Sequence, residues 1–382
     1  MIKISFRNLI NIILINTFVI VGLIISPSIL LFTFRKINST FNKRNLIDKR
    51  ALYPIYKNKE LSKNLFNQKK PSEYKSYIGW RRKPIKLKYI NIVSTFNSRF
   101  SSGQSLNNSI WFFGGSTMWG TGVRDEGTIP SIFYEKTNIK VFNFGESAWT
   151  ARQSLNQLMN VVADGYNPEK IIFFDGINEV LAGCKTIVNN LPTNARESQI
   201  KQALKNGKSG KYMVKPLIFK LLKKINEPYS ILNKRFTKNI NENREEVKIY
   251  NCDDDLIKAN KIASNLVNDW FFAFLIADSI NVKYYAILQP TIYTSNTNFD
   301  YFTEFEFNRF KSLKKQYEVI YPLIIENIDK KCKSYNKFCD SFINGVNWIN
   351  DPNSQVYMDT FHVTEKGNSY IVEGIIDSLK LK

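Results

Sequence analysis

His362 is the only histidine in 382 residues, and Asp359 stands three positions before it in Asp359-Thr360-Phe361-His362. Imidazole is the side chain that exchanges protons most readily near neutral pH, so any such step carried by histidine falls to this residue. Sites needing several imidazoles are excluded. A lone histidine with a satisfied hydrogen bond is the plain alternative, so the rest of the chain must supply partners. Ser116 follows Gly114-Gly115, where a strand would break and a helix begin. A serine hydroxyl becomes a nucleophile when a base takes its proton and a third group orients that base. His362 is the candidate base and Asp359 the candidate orienter. Charge that develops on a substrate oxygen needs donors. The Gly145 backbone N–H and the Asn178 side-chain amide are of the right types, and the Ser116 N–H can add a third. Taken singly, Gly-Gly-Ser, Gly-x-Asn and Asp-x-x-His each fit an ordinary turn.

The elements that must position these residues are legible as strands alternating with helices from about residue 107. Residues 109–113, 140–144, 170–174 and 282–288 are short apolar strands. Helices are expected near 128–135, 151–163, 259–280, 302–331 and 365–379. Near-continuous apolar strands separated by helices argue for a parallel sheet covered on both faces. In such sheets ligands bind beyond the carboxyl ends of the strands. Ser116, Gly145 and Asn178 follow the first three strands in turn, and their order is far more specific than any one of them.

With those blocks in place the chain resembles the SGNH hydrolases, also called the GDSL esterase/lipase family. Phe113-Gly114-Gly115-Ser116-Thr117-Met118-Trp119-Gly120 is similar to its first block and Asn143-Phe144-Gly145-Glu146 to its second. Asp175-Gly176-Ile177-Asn178-Glu179 is similar to the third, and Asp359-Thr360-Phe361-His362 to the last. The resemblance covers about residues 107–382, less an insertion. Gly115 stands where the better-known pattern has Asp, and Glu179 where Asp is usual, so no subfamily's substrate transfers. The resemblance implies a three-layer αβα sandwich with a flavodoxin-like parallel sheet and no metal or other cofactor. It implies hydrolysis of an ester, often an acyl group on a carbohydrate, through an acyl-serine intermediate. The expected partner is an acylated small molecule or glycan.

Two rivals share these residues. An acyltransferase would use the same serine with a sugar hydroxyl as acceptor. A non-catalytic polysaccharide-binding or assembly protein would keep the fold alone. Trp119, Trp149, Tyr166 and Trp348 can stack on sugar rings in either case, or simply fill the core. Gly114 to Gly122 lacks the lysine of a phosphate-binding loop and does not read G-x-G-x-x-G, so nucleotide-loop readings are discarded.

Outside the blocks, residues 8–34 are almost wholly apolar and uncharged, longer than the roughly 20 residues that cross a bilayer core. With no small-x-small cleavage site evident, the expectation is an uncleaved single-pass anchor over residues 1–34. Lys and Arg are more numerous after the segment than before it, which taken literally keeps the body inside. That bias weakens for a long translocated domain, and the expectation adopted is an extracytoplasmic body. Residues 35–75 read as a polar, basic stalk, and 76–382 as the catalytic domain with a lysine- and asparagine-rich insertion at about 185–255. Alternating Ile85, Leu87, Tyr89 and Ile92 suggest a strand that pairs with the main body. The net charge of +21 is spread along the chain without a nucleic-acid-binding motif, so no nucleic-acid partner is expected. Cys184, Cys252, Cys332 and Cys339 form no CxxC pair and have no second histidine to complete a zinc site. Cys332 and Cys339 can pair in an oxidising compartment or stand as free thiols.

Overall fold

The computed structural model describes residues 16, 48–186, 250–302 and 304–381. The chain divides into two compact units, Ile47–Glu197 with Lys248–Lys382, and Met1–Leu46 with Ser198–Val247. The second unit lies outside the described residues but for Asn16, and so do the expected anchor at 8–34 and all but the ends of the expected insertion. Among the described residues no helix is long and apolar enough to cross a membrane.

Five strands build the central sheet: β5 (Ile110–Gly114), β6 (Val141–Asn143), β7 (Lys170–Asp175), β8 (Lys283–Leu288) and β10 (Phe342–Asn344). All are parallel, in the order β10-β8-β7-β5-β6. This is the doubly wound flavodoxin-like order, in which the direction of winding reverses beside the first strand. Alternate residues of β5 face opposite layers, as the two-residue period of a strand requires. Trp111 and Phe113 enter one core with Phe144, Ile171 and Phe173, while Ile110 and Phe112 enter the other with Val141, Ile172 and Phe174. Phe112 and Phe113 are wholly buried, and burying each contributes roughly 1.5–3 kcal/mol.

The first core is closed by α4 (Ala151–Ala163), α5 (Ile177–Gly183), α6 (Leu256–Ser279) and α7 (Glu304–Ser334), through Leu158, Val180, Leu266 and Ile324 among others. The second is closed by α3 (Ile129–Thr137) and α9 (Glu365–Ser378), through Phe133, Ile371 and Ile375. Short polar caps fix where several of these helices start. Asp255 accepts from the Lys258 N–H at 2.9 Å, and Thr364 accepts from that of Gly367 at 3.4 Å. Such caps satisfy donors that a helix leaves unpaired at its first turn.

Three findings differ from the sequence expectations. The alternation over 85–92 does not join the main sheet. It forms β3 (Ile85–Lys86) paired with β4 (Asn91–Ile92), beside a separate hairpin of β1 (Ser72–Lys75) and β2 (Gly79–Arg82). The free edge of β6 is already taken, since Val141 exchanges backbone hydrogen bonds with Gly103 and Ser105. Pro84 also interrupts the segment and offers no N–H to a ladder.

The described part of the expected stalk packs onto the body. Ala51, Tyr53, Tyr56 and Leu65 are all buried. Tyr53 joins the second core, while Tyr56 and Leu65, on α1 and the turn before it, surround Trp119 and Met358 (α1, Lys59–Asn67). Third, both pairs of cysteines are bonded. Cys332–Cys339 takes the disulfide alternative, and Cys184–Cys252, which the sequence did not suggest, ties residues 68 apart at the two ends of the expected insertion.

Candidate active site

The short helix α2 (Ser116–Trp119) starts directly after β5, so Ser116 sits at the carboxyl edge of the sheet with its backbone N–H at the first helical position. Amides there have no intrahelical acceptor. The loop before α9 brings His362 to the same edge. Ser116 Oγ lies 2.7 Å from His362 Nε2, and His362 Nδ1 lies 2.7 Å from Asp359 Oδ2. An ionised carboxylate only accepts, so Nδ1 carries the proton and Nε2 accepts from the serine hydroxyl. The His362 side chain keeps 15% of its surface exposed while that of Asp359 keeps 4%. The imidazole is therefore partly open to solvent, whereas the Asp359 carboxylate is almost covered.

Asp359 is held by four donors. Its Oδ1 accepts from the Phe361 and His362 backbone N–H groups at 2.8 Å each. Its Oδ2 accepts from His362 Nδ1 and, at 2.8 Å, from Arg50 Nη1. Burial alone would raise its pKa, but the charges and hydrogen bonds of His362 and Arg50 hold the carboxyl far below the usual range. It therefore stays an anion.

The expected oxyanion donors converge on the same place. A Cβ added at Gly115 would lie 2.3 Å from Asn178 Nδ2, so the missing side chain at Gly115 lets the Asn178 amide rest against the turn that carries Ser116. One hydrogen of that amide goes to the Trp149 carbonyl at 2.7 Å, leaving a second to donate. Gly145 lies as close on the other side, where a Cβ would stand 2.7 Å from the Trp119 nitrogen. Its N–H, however, donates to Asn143 Oδ1 at 2.9 Å, and Asn143 Nδ2 donates to the Met118 carbonyl at 3.0 Å. Gly145 is in place, but its amide donates to the Asn143 side chain. Ser116 N–H and Asn178 Nδ2 are the donors the geometry leaves available.

A carboxylate supports this arrangement from beneath. Glu179 Oε1 accepts from the Ala151 N–H at 2.7 Å and Oε2 from the Gly176 N–H at 3.0 Å. It thereby joins the start of α4 to the turn that carries Asn178. Burial pushes the Glu179 carboxyl up to about 7, against the backbone donors that lower it and with Asp269 adding to the rise. Asp175 beside it is raised well above its ordinary value by burial, with the nearby Glu179 adding to the rise.

Two candidate sugar-stacking rings are internal. Trp119 is 2% exposed, with the Arg82 and Arg99 guanidinium carbons 4.0 and 4.6 Å from its ring centre. Trp149 is 1% exposed, with Arg81 4.7 Å from its ring. Tyr166 packs edge-on to Phe96 and Trp348 against the second core, both half-buried.

Arg50 and Asn143 were missed as site residues. Arg50 lies in a basic stretch without periodicity, and no local pattern couples it to a residue 309 positions away. Asn143 stands two residues before Gly145, the only sequence hint of its role.

No sequence profile of a known family matches the chain, and no curated protein does. Solved structures that are similar to it include a member of the lipolytic protein G-D-S-L family from Veillonella parvula, at 12% identity and a TM-score of 0.36, covering 70% of this chain and 96% of that one. A GDSL-like lipase from Bacteroides thetaiotaomicron is similar at 13% identity and a TM-score of 0.32, covering 72% and 87%. An acetyl xylan esterase from Butyrivibrio proteoclasticus is similar at 10% identity and a TM-score of 0.34, covering 72% and 64%.

Proposed function

We propose that this chain is a serine esterase of the SGNH type, which removes an acyl group, foremost acetyl, from a carbohydrate or cell-surface glycan. The observation that carries the reading is the unbroken hydrogen-bonded run from Asp359 through His362 to Ser116 at the carboxyl edge of the sheet.

In this reading Ser116 Oγ attacks the ester carbonyl as its proton passes to His362 Nε2. The carbonyl oxygen takes up the negative charge, met by Ser116 N–H and Asn178 Nδ2. Collapse expels the sugar oxygen, which takes the proton from Nε2 and leaves an acyl-serine. Water then gives its proton to Nε2 and attacks the acyl carbon. The second tetrahedral intermediate collapses, Ser116 recovers the proton and the carboxylic acid departs. Asp359 remains ionised throughout and stabilises the imidazolium.

The same reading places the body outside the cytoplasm, held by the apolar segment at 8–34. Two disulfides support that side of the membrane, because such bonds persist in oxidising compartments. The activity is tested by hydrolysis of a short-chain aryl ester by the full-length chain. Ser116→Ala and His362→Ala are each expected to lower kcat by about 10³-fold or more. Equal activity in the wild type and both variants would overturn the proposal.

A further inference from the structure

The contact between Arg50 and Asp359 joins a residue near the start of the described chain to one near its end. The Asp359 oxygen that accepts from Arg50 is the one that accepts from His362, so a permanent cation and the imidazole share one acceptor. We propose that Arg50 is a positioning residue of this site, which fixes the Asp359 carboxylate in place against the imidazole of His362. The proposal rests on the reading of Ser116, His362 and Asp359 given above.

The guanidinium is built into place. Its Nε and Nη2 donate to Asp48 at 3.0 and 2.7 Å, and Nη1 is left for Asp359. Asp48 also caps the turn Lys49–Leu52 by accepting from the Arg50 N–H at 3.0 Å. The plane lies 4.7 Å over the Phe66 ring. Tyr56 anchors the same segment by donating to the Gly122 carbonyl at 2.9 Å. A planar fork engaging two carboxylates at once is arginine chemistry that lysine does not reproduce.

The shared acceptor ties the two contacts together. A cation fixed beside Asp359 Oδ2 sets where that oxygen stands against His362 Nδ1. The other titratable groups around this cluster are Asp48 on the turn, Tyr56 before α1, Lys70 after α1, Tyr301 on the loop after β9 (Asn296–Thr297), and Glu365 at the start of α9. Of these, Asp48 alone touches Arg50 directly, and its negative charge tempers the cation without displacing it.

A single histidine makes the test clean. In full-length chain labelled on histidine, the Nδ1–H signal belongs to His362 alone and reports its hydrogen bond to Asp359 without turnover. Arg50→Gln is expected to displace or broaden that signal and to lower kcat about tenfold with KM nearly unchanged. Arg50→Lys, which keeps a cation without the fork, is expected to displace it less, with a smaller loss of kcat. A folded Arg50→Gln variant whose Nδ1–H signal matches the wild type would overturn the proposal. Should Arg50→Gln not fold, Arg50→Lys decides: a reduced kcat supports the role, and wild-type kcat overturns it. A displaced Nδ1–H signal in a chain that hydrolyses no ester would separate this proposal from the esterase reading.

Discussion

Asn178 and Gly145 come to the same edge of the sheet but offer different things, and substitution should separate them. Asn178→Ala removes an available donor together with the hydrogen bond to the Trp149 carbonyl. It is expected to lower kcat by about 10²–10³-fold with KM nearly unchanged and a small fall in melting temperature, which steady-state kinetics and a thermal melt would check. Gly145→Ala places a Cβ 2.7 Å from the Trp119 nitrogen and 2.9 Å from the Met118 carbonyl carbon, so its first effect should be a lower melting temperature. Glu179 gives a pH signature. Its folded pKa of about 7 lies above its ordinary 4.5, so the folded chain binds that proton more tightly than the unfolded one. Stability from this group is present below 4.5 and is lost as pH rises through about 7. Thermal melts should show Glu179→Gln flattening the pH dependence across that window, and an unchanged slope would contradict the assignment. At this scale residue type and block order were enough to single out Ser116, His362, Asp359 and Asn178, which the structure brings to one edge of the sheet. The Arg50 contact and the Asn143 brace depend on closure of distant segments, which no local spacing encodes.

The strands and helices that carry the site were legible because their residues are buried on both sides of the sheet. β5 and β7 are almost wholly apolar, and α4 was delimited at Ala151–Ala163 from its pattern. β10 escaped notice because its three residues, the half-buried Phe342 and Ile343 and the exposed Asn344, show no period. The alternation at 85–92 misled because a two-residue period marks a strand with one buried face without saying which sheet receives it. The Cys184–Cys252 disulfide was hidden for a related reason: its partners flank a stretch that gives no hint of bringing its ends together. Closing a loop of that length stabilises a fold by about 4 kcal/mol through the unfolded chain. Cys252→Ser should therefore lower the denaturant midpoint markedly, whereas Cys339→Ser, which opens a span of only 7 residues, should lower it less. Equal effects would contradict the pairing.

For the whole molecule, the described body is a doubly wound sheet whose carboxyl edge gathers residues from four separate blocks. The described segment 48–75 packs onto the body. Its contacts at Ala51, Tyr53, Tyr56 and Leu65 mean that truncation to residue 76 should expose apolar surface and remove Arg50 together. Such a truncated chain is expected to lose activity and solubility, as judged by size-exclusion chromatography and ester hydrolysis. An exported body further predicts that a C-terminal alkaline phosphatase fusion is active in intact cells, and an inactive fusion would place the body inside. The central claim is that Ser116 is a nucleophile activated by the single histidine. Intact-mass analysis after treatment with a fluorophosphonate tests it most directly. One adduct on the full-length wild-type chain is expected, with none on Ser116→Ala and slow labelling of His362→Ala; an adduct that persists in Ser116→Ala, or none on the folded wild type, would contradict it.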